Sequence, residues 1–397
     1  MKVVQINSTC NSGSTGRIAY QISELLNAEN IENYILYSMY ESDYPQAYKF
    51  CSRNRQLVNA VKSRLLGNMG FEDRFATKKL IKKLNEIKPD ILHIHNIASH
   101  DVNFTKLFNY LKNNHIKVIW TLHDCFAFTG GCMYFDFANC DKWKTECHHC
   151  PKKKEFSWFF DRSKSSFYKK KELLKGLDLT LVTPSNWLAD LVKQSFLKDY
   201  EVKVINNGID LTKFKPVVSN FQKEYDIGDK KVLLFSSFNL DERKGIRDII
   251  KLSQMIDHDK YVMVLVGHIE DKYLSEIDKR TILITQTKNQ QELKNIYNAA
   301  TFFINTTYED NYPTTHMEAL ACGVPVVTYR TGGSTEMLDE SCSYVIEKGD
   351  VDGLLKLLNT VDLDKSMKAN CIEKSKAFDS NECFRKYIDL YKKVGQK

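Results

Sequence analysis

Short apolar runs alternate with amphipathic helical stretches along most of this chain, and that alternation restricts its fold more than any other feature. A strand followed by a helix long enough to cross back over the sheet brings the next strand in parallel. The pattern therefore calls for α/β domains with helices on both sheet faces. The first series predicts strands at 3–6, 34–37, 91–94, 118–122 and 179–182, and helices at roughly 16–26, 73–86, 104–113 and 187–194. A second series starts near Lys231, with strands at 232–235, 261–266, 282–284, 301–304 and 324–328. Between them, residues 202–216 carry an Asn207-Gly208 turn signal and read as a linker. Open sheets of this kind bind ligands beyond the carboxyl ends of their strands, so the chemistry is expected there.

Bulk properties agree. The 397 residues suffice for two domains, and 43% hydrophobic against 27% charged residues excludes a disordered chain. No run of eighteen apolar residues occurs, and Met1–Asn7 lacks the apolar core of a signal peptide and reads as a first strand. The expectation is a cytoplasmic protein with reduced cysteines. The net charge of +7 is mild, and nothing resembles a nucleic-acid motif. Two lysine clusters, Lys152–Lys154 and Lys169–Lys171, are either solvated helix faces or contacts for anionic lipid at the inner face of a membrane or for nucleic acid.

The segment richest in chemistry runs from Tyr308 to Tyr329. It opens with Glu309 and Asp310, and Glu318 follows. Asn311 and Pro313 suggest a loop entering a helix near Thr314 or Thr315, either of which can cap it. Free N–H groups at such a terminus suit a phosphate, and carboxylates accept from sugar hydroxyls. Gly323 then stops the helix and a buried strand begins. The plainer alternative is a capped surface helix with scattered acids.

This segment, ending Glu318-Ala-Leu-Ala-Cys-Gly-Val-Pro-Val-Val, resembles the donor-binding signature of retaining glycosyltransferases of family 4. The resemblance implies that Glu318 holds the ribose hydroxyls of a nucleotide and that Asp310 faces the transferred sugar. The family usually carries Glu in the first place, and Glu309 beside the shorter Asp310 is the alternative occupant. Residues 206–216 resemble the family's interdomain stretch, and Thr331–Glu336 continues the likeness. The implied architecture is GT-B, two Rossmann-like domains with parallel sheets facing across a cleft. The expected divisions are residues 1–202 as an acceptor-side domain, 203–378 as a nucleotide-sugar-binding domain, and 379–397 as a helix crossing back to the first.

Further candidates follow the strand ends. Arg243 and Lys244 suit a diphosphate, one as a bidentate fork and one as a point charge. The family has an earlier Arg where this chain has Asn239. Gly267, after the next strand, resembles the family's approach to the nucleotide, and His268 beside it reads as exposed. Gly13 and Gly16 let the backbone of the first loop approach an anionic group. His93 and His95 bracket Ile94 and are expected on opposite faces of their strand, with His95 favoured for the ligand side. His123 ends the next strand, and the resemblance implies contact with the transferred sugar.

Five cysteines crowd residues 125–150. Cys147 and Cys150 have metal-knuckle spacing, and Cys132 and Cys140 complete a thiolate set for a structural zinc; buried, unligated thiols are the alternative. No cofactor is expected for catalysis. The reading is a retaining hexosyltransferase that moves sugar from a UDP- or GDP-linked donor to a glycan or lipid-linked acceptor in bacterial surface polysaccharide synthesis. Its rivals are a GT-B nucleotide-sugar epimerase and a non-catalytic nucleotide-sugar-binding relative.

Overall fold

The computed structural model describes every residue except Ser99, Lys365 and Lys397, and the alternation resolves into two all-parallel sheets. The first comprises β1 (Lys2–Ile6), β2 (Glu32–Tyr37), β3 (Ala47–Lys49), β4 (Ile91–Ile94), β5 (Lys117–Thr121), β6 (Leu179–Thr183) and β7 (Glu201–Val204), in the order β3-β2-β1-β4-β5-β6-β7. The second comprises β8 (Lys231–Leu240), β9 (Tyr261–Ile269), β10 (Ile282–Ile284), β11 (Phe302–Asn305), β12 (Val326–Tyr329) and β13 (Ser343–Ile346), in the order β10-β9-β8-β11-β12-β13. Both orders reverse once, between β1 and β4 and between β8 and β11. Such switch points are where doubly wound sheets open a ligand crevice.

The chain divides into one compact unit of Met1–Asn206 with Cys383–Lys397, and another of Asn207–Glu382. In the first unit, Val4, Ile6, Leu92, Ile94, Val118 and Trp120 point into the larger core, packed with the helices Arg74–Ile87 and Phe104–Asn113. The opposite face is covered by the helix Gly13–Ala28 and by Phe384, Tyr387, Ile388 and Tyr391 of the C-terminal helix Ser380–Gln396. In the second unit, Leu234 and Val264 face one core while Leu233, Phe235, Met263 and Leu265 face the other. This is the alternation that a sheet covered on both sides requires.

Several boundaries differ from expectation. β7 occupies the start of the presumed linker, and the short edge strands β3 and β13 were absent from the periodic pattern. β8 and β9 run on past their apolar runs with an irregularity between Ser236 and Asn239, so Asn239 and Gly267 lie within strands rather than after them. His93 and His95 share one face: residues two apart in a strand must, and their rings lie 3.9 Å apart. Lys170 is buried, so its cluster is not a uniformly solvated face. No helix among the described residues is long and apolar enough to cross a membrane.

Candidate active site

In the second unit, β8 delivers a tight turn, Asp241–Lys244, into the helix Ile246–Met255. The Asp241 side chain and carbonyl both accept from Lys244 N at 3.0 Å. Gly245 closes the turn with φ +76°, where an added Cβ would stand 2.2 Å from the Thr306 carbonyl oxygen. Only glycine lets the turn lie against the loop leaving β11. Gly245→Ala is therefore expected to strain the backbone by about 1–2 kcal/mol and to displace Lys244. A lowered melting temperature would report the strain, and one equal to wild type would show that the turn accommodates the added methyl group.

That loop is fastened to the turn by several hydrogen bonds. Tyr308 N donates to the Arg243 carbonyl at 2.8 Å, Thr306 Oγ1 to the Lys244 carbonyl at 3.1 Å, and Arg243 Nη1 to the Glu309 carbonyl at 2.9 Å. The result brings together two charges far apart in sequence, because Lys244 Nζ bonds directly to Asp310 Oδ2. Both side chains are only about 15% exposed (15% and 14%). Burial pushes the Asp310 carboxyl up, but the charges of Lys244 and Arg243 and the hydrogen bonds from Lys244 and Asn311 N outweigh it. Asp310 is held below its ordinary range and stays ionised. Glu309 is wholly buried beside it.

The helix Thr314–Ala321 begins immediately after this loop. Its N-cap residue is Pro313, with no side-chain cap, so Thr314 and Thr315 lie in the first turn instead of capping it. A proline cap leaves first-turn N–H groups without a side-chain acceptor, which suits an anion. Glu318 lies one turn further, 6% exposed, and its Oε2 accepts from the buried Tyr297 hydroxyl at 2.9 Å. His316, which the sequence reading passed over, is fully buried between these groups and accepts from Asn305 Nδ2 at 2.8 Å through Nε2. Burial lowers its pKa to about 4, with Asp310 pulling up and Lys244 pushing down. A lone polar ring inside the small-residue stretch around it was the available signal. Gly267 has a packing reason: its φ is +140° and a Cβ there would meet the Ser237 carbonyl oxygen at 1.9 Å. His268 is exposed. A recess of about 500 Å³, lined by residues 227–231 and 259–261, opens at the other, N-terminal ends of β8 and β9.

In the first unit, one sheet face changes from apolar to polar along each central strand, reading Val3-Gln5-Asn7, Ile91-His93-His95 and Ile119-Thr121-His123. His93 is the deeper ring, tied to Tyr391 at 2.5 Å and Thr121 at 2.8 Å. His95 and His123 lie at the strand ends and line a cavity of about 20 Å³ with Asn96 and Asp124. A chain of hydrogen bonds sets their tautomers. Gln5 Nε2 donates to the Ala19 carbonyl at 3.0 Å, so Gln5 Oε1 is the atom that accepts from His95 Nε2 at 2.9 Å. Burial drives His95 well below its ordinary value and His123 to about 4, so both are neutral at pH 7. His95 Nδ1 is then a lone pair that takes the Nε2 proton of His123 at 3.3 Å. In that tautomer the Nδ1 of His123 is an acceptor and not a donor.

Gly13 and Gly16 fall in the first turn of Gly13–Ala28, after an Ser12 cap with no side-chain bond. A Cβ on Gly16 would stand 2.4 Å from Thr9 Oγ1, which explains that glycine by packing. The cysteine insert lies on the same unit. Cys132 and Cys150 share a thiol hydrogen bond, and Cys147 accepts from Gly130 N at 3.2 Å. Among the described residues, no three His, Cys, Asp or Glu side chains are arranged to hold a metal ion. Close to these thiols, buried Lys170 donates to the Phe126 carbonyl at 2.6 Å and the Thr129 carbonyl at 3.1 Å, and burial brings it down to about 7.

Comparison with known proteins agrees with both halves. Residues 15–213 match the model of Glycosyltransferase Family 4, and residues 218–378 match that of glycosyl transferases group 1. WcaC of Escherichia coli K12, a glycosyl transferase named for colanic acid biosynthesis, is 22% identical over 99% of this chain and 100% of its own length. CapM of Staphylococcus aureus, a capsular polysaccharide biosynthesis glycosyltransferase, is 23% identical over 45% of this chain and 50% of its own. Among solved structures, HepE of Anabaena superposes with a TM-score of 0.71 at 14% identity, covering 99% of this chain and 100% of that one, which supports the GT-B fold. With its family model spanning half of the sequence, this chain belongs to Glycosyltransferase Family 4 and is a glycosyltransferase.

Proposed function

We propose that this enzyme transfers a sugar, with retention of configuration, from a nucleoside diphosphate sugar to a hydroxyl of a growing bacterial surface glycan. The observation that carries the reading is the Lys244–Asp310 pair, set beside Arg243 and before the uncapped start of Thr314–Ala321. In this reading Lys244, Arg243 and the helix N–H groups stabilise the charge that develops on the departing diphosphate. Glu318 takes the ribose hydroxyls, and Asp310, with Glu309 behind it, orients the sugar. His123 and the Gly13–Gly16 turn serve the first unit's part in holding sugar and acceptor. No metal is assigned to the diphosphate, because this reading gives it the two cations of Lys244 and Arg243.

The names of the relatives support polysaccharide assembly, and UDP with glucose in the HepE structure supports a nucleotide-linked donor, UDP or GDP. A lipid-linked acceptor and contact with an anionic membrane surface complete the proposal. For the cysteine insert we propose a structural part only. Native mass spectrometry, reading zinc as a mass increment, decides between a thiolate site on Cys132, Cys140, Cys147 and Cys150 and packed thiols.

Thermal stability with saturating UDP, GDP, CMP or ADP tests the donor site. Ligand at a hundred times its dissociation constant adds about 2.7 kcal/mol, a shift of several degrees. One nucleotide is expected to shift the wild type selectively, and Glu318→Ala is expected to lose most of that shift while remaining folded. An undiminished shift in the variant would remove Glu318 from the site.

A further inference from the structure

The helix Arg53–Leu66 is turned inside out relative to an ordinary surface helix. Its buried residues are Gln56, Asn59 and Ser63, all polar. Leu57 (58% exposed), Val58 (52%) and Val61 (48%) face outward with Leu65 and Leu66. At about 100° per residue these five fall within one half of the helix circumference. The inward face is held by polar bonds instead of a core. Asn59 Nδ2 reaches Asp73 at 2.5 Å, Gln56 Nε2 reaches Asp101 at 3.3 Å, and Arg55 Nε reaches Asp73 at 2.8 Å.

A second exposed apolar element abuts the end of this helix. Trp158, Phe159 and Phe160 stand 48%, 63% and 54% exposed, and their loop is fixed by Trp158 N donating to the Arg64 carbonyl at 2.7 Å. The surroundings are cationic. The helix carries Arg53, Arg55, Lys62 and Arg64 and no acid. Besides the buried Lys170, residues 152–171 carry seven Lys or Arg against two acids. Lys153 Nζ donates to the Phe159 carbonyl at 3.3 Å, and the Arg162 guanidinium lies 5.9 Å from the Phe160 ring.

We propose that this face docks on an anionic lipid bilayer, with the helix lying in the plane of the interface and the three aromatics entering at headgroup depth. A bilayer is the occupant that wants both features together, apolar residues at the interface and cations against anionic headgroups. A protein partner matched to the apolar stripe would have no use for a basic border of this extent. The proposal deepens the membrane contact suggested above by giving it a surface, but it does not depend on the donor chemistry.

The test is sedimentation with vesicles of phosphatidylcholine alone and of phosphatidylcholine mixed with phosphatidylglycerol, at low and high salt. Wild type is expected to bind the mixed vesicles and to be released by salt. Leu57→Glu/Val61→Glu and Trp158→Ser/Phe159→Ser/Phe160→Ser are each expected to weaken partitioning about tenfold or more. Lys62→Glu/Lys154→Glu is expected to weaken it selectively for the anionic vesicles. All these side chains point outward, so melting temperature and the nucleotide-induced shift should be retained, which separates failure here from failure of the glycosyltransferase reading. Wild-type protein that ignores anionic vesicles, or variants that bind like wild type, would overturn the proposal. So would sedimentation showing a dimer that the same substitutions dissolve, because a second copy would then cover the face.

Discussion

Lys244→Met is expected to lower the transfer rate by about 10²–10³, the usual effect of removing one preorganised charge aimed at a developing anion. Two explanations would predict a loss, and they separate cleanly. If Lys244 acts on the departing diphosphate, the ammonium itself is needed. If it only neutralises Asp310, to which it is bonded in this structure, then removing both charges should restore the nucleotide-induced stabilisation that removing one destroyed. Lys244→Met/Asp310→Asn decides, read by that stabilisation because Asp310 is itself assigned to the sugar. Under the proposed mechanism the stabilisation is as weak in the double variant as in Lys244→Met alone. Its recovery in the double variant would demote Lys244 to a structural partner of Asp310. The single variant also leaves Asp310 buried without its closest cation, so its carboxyl pKa rises, and transfer by Lys244→Met should fall further towards acid pH than wild type does.

How much of this was legible beforehand varies with the physical origin of each feature. The helix Phe104–Asn113 and β4 were read at their observed limits, because an apolar pattern packed against a core leaves a direct trace in sequence. β3 and β7 were missed: short edge strands with half-exposed residues carry no such trace. Arg53–Leu66 was missed for a related reason, since its buried face is polar and its N-cap, Ser52, stands five residues before the first apolar residue, Leu57. Lys244, Asp310 and Glu318 were all singled out, but the bond between the first two, across 66 positions, is a product of the β8–β11 adjacency and not of any local pattern. His316 escaped notice because its partners are Asn305 on one strand and the charges of two loops. The placing of His93 and His95 on opposite faces was an error of strand periodicity. The structure makes the pair one continuous series with His123, ring centroids 3.9 Å and 5.6 Å apart.

The second large effect concerns acid. A histidine kept neutral by burial binds fewer protons folded than unfolded, so the stability it contributes is fully present above the unfolded value. That stability is lost as pH falls from there towards the folded value. For His316 these limits are 6.5 and about 4. At pH 5 the loss from this one fully buried ring is about 2 kcal/mol relative to pH 7, or about 4–8 °C in the melting of a unit this size. Asp310 adds nothing in this window, since its lowered pKa matters only below the ordinary carboxylate range. In the first unit the direction is the same for His93, His95 and His123, all pushed down mainly by burial. There Asp101, raised from 3.8 to about 6, carries the opposite sign and returns about 1 kcal/mol between pH 7 and pH 5. The second unit is therefore the cleaner place to measure. His316→Asn deletes the titrating ring, so although its stability at pH 7 is lower, it should lose about 2 kcal/mol less than wild type on going to pH 5. Parallel losses in the two proteins would mean that His316 does not titrate in this window.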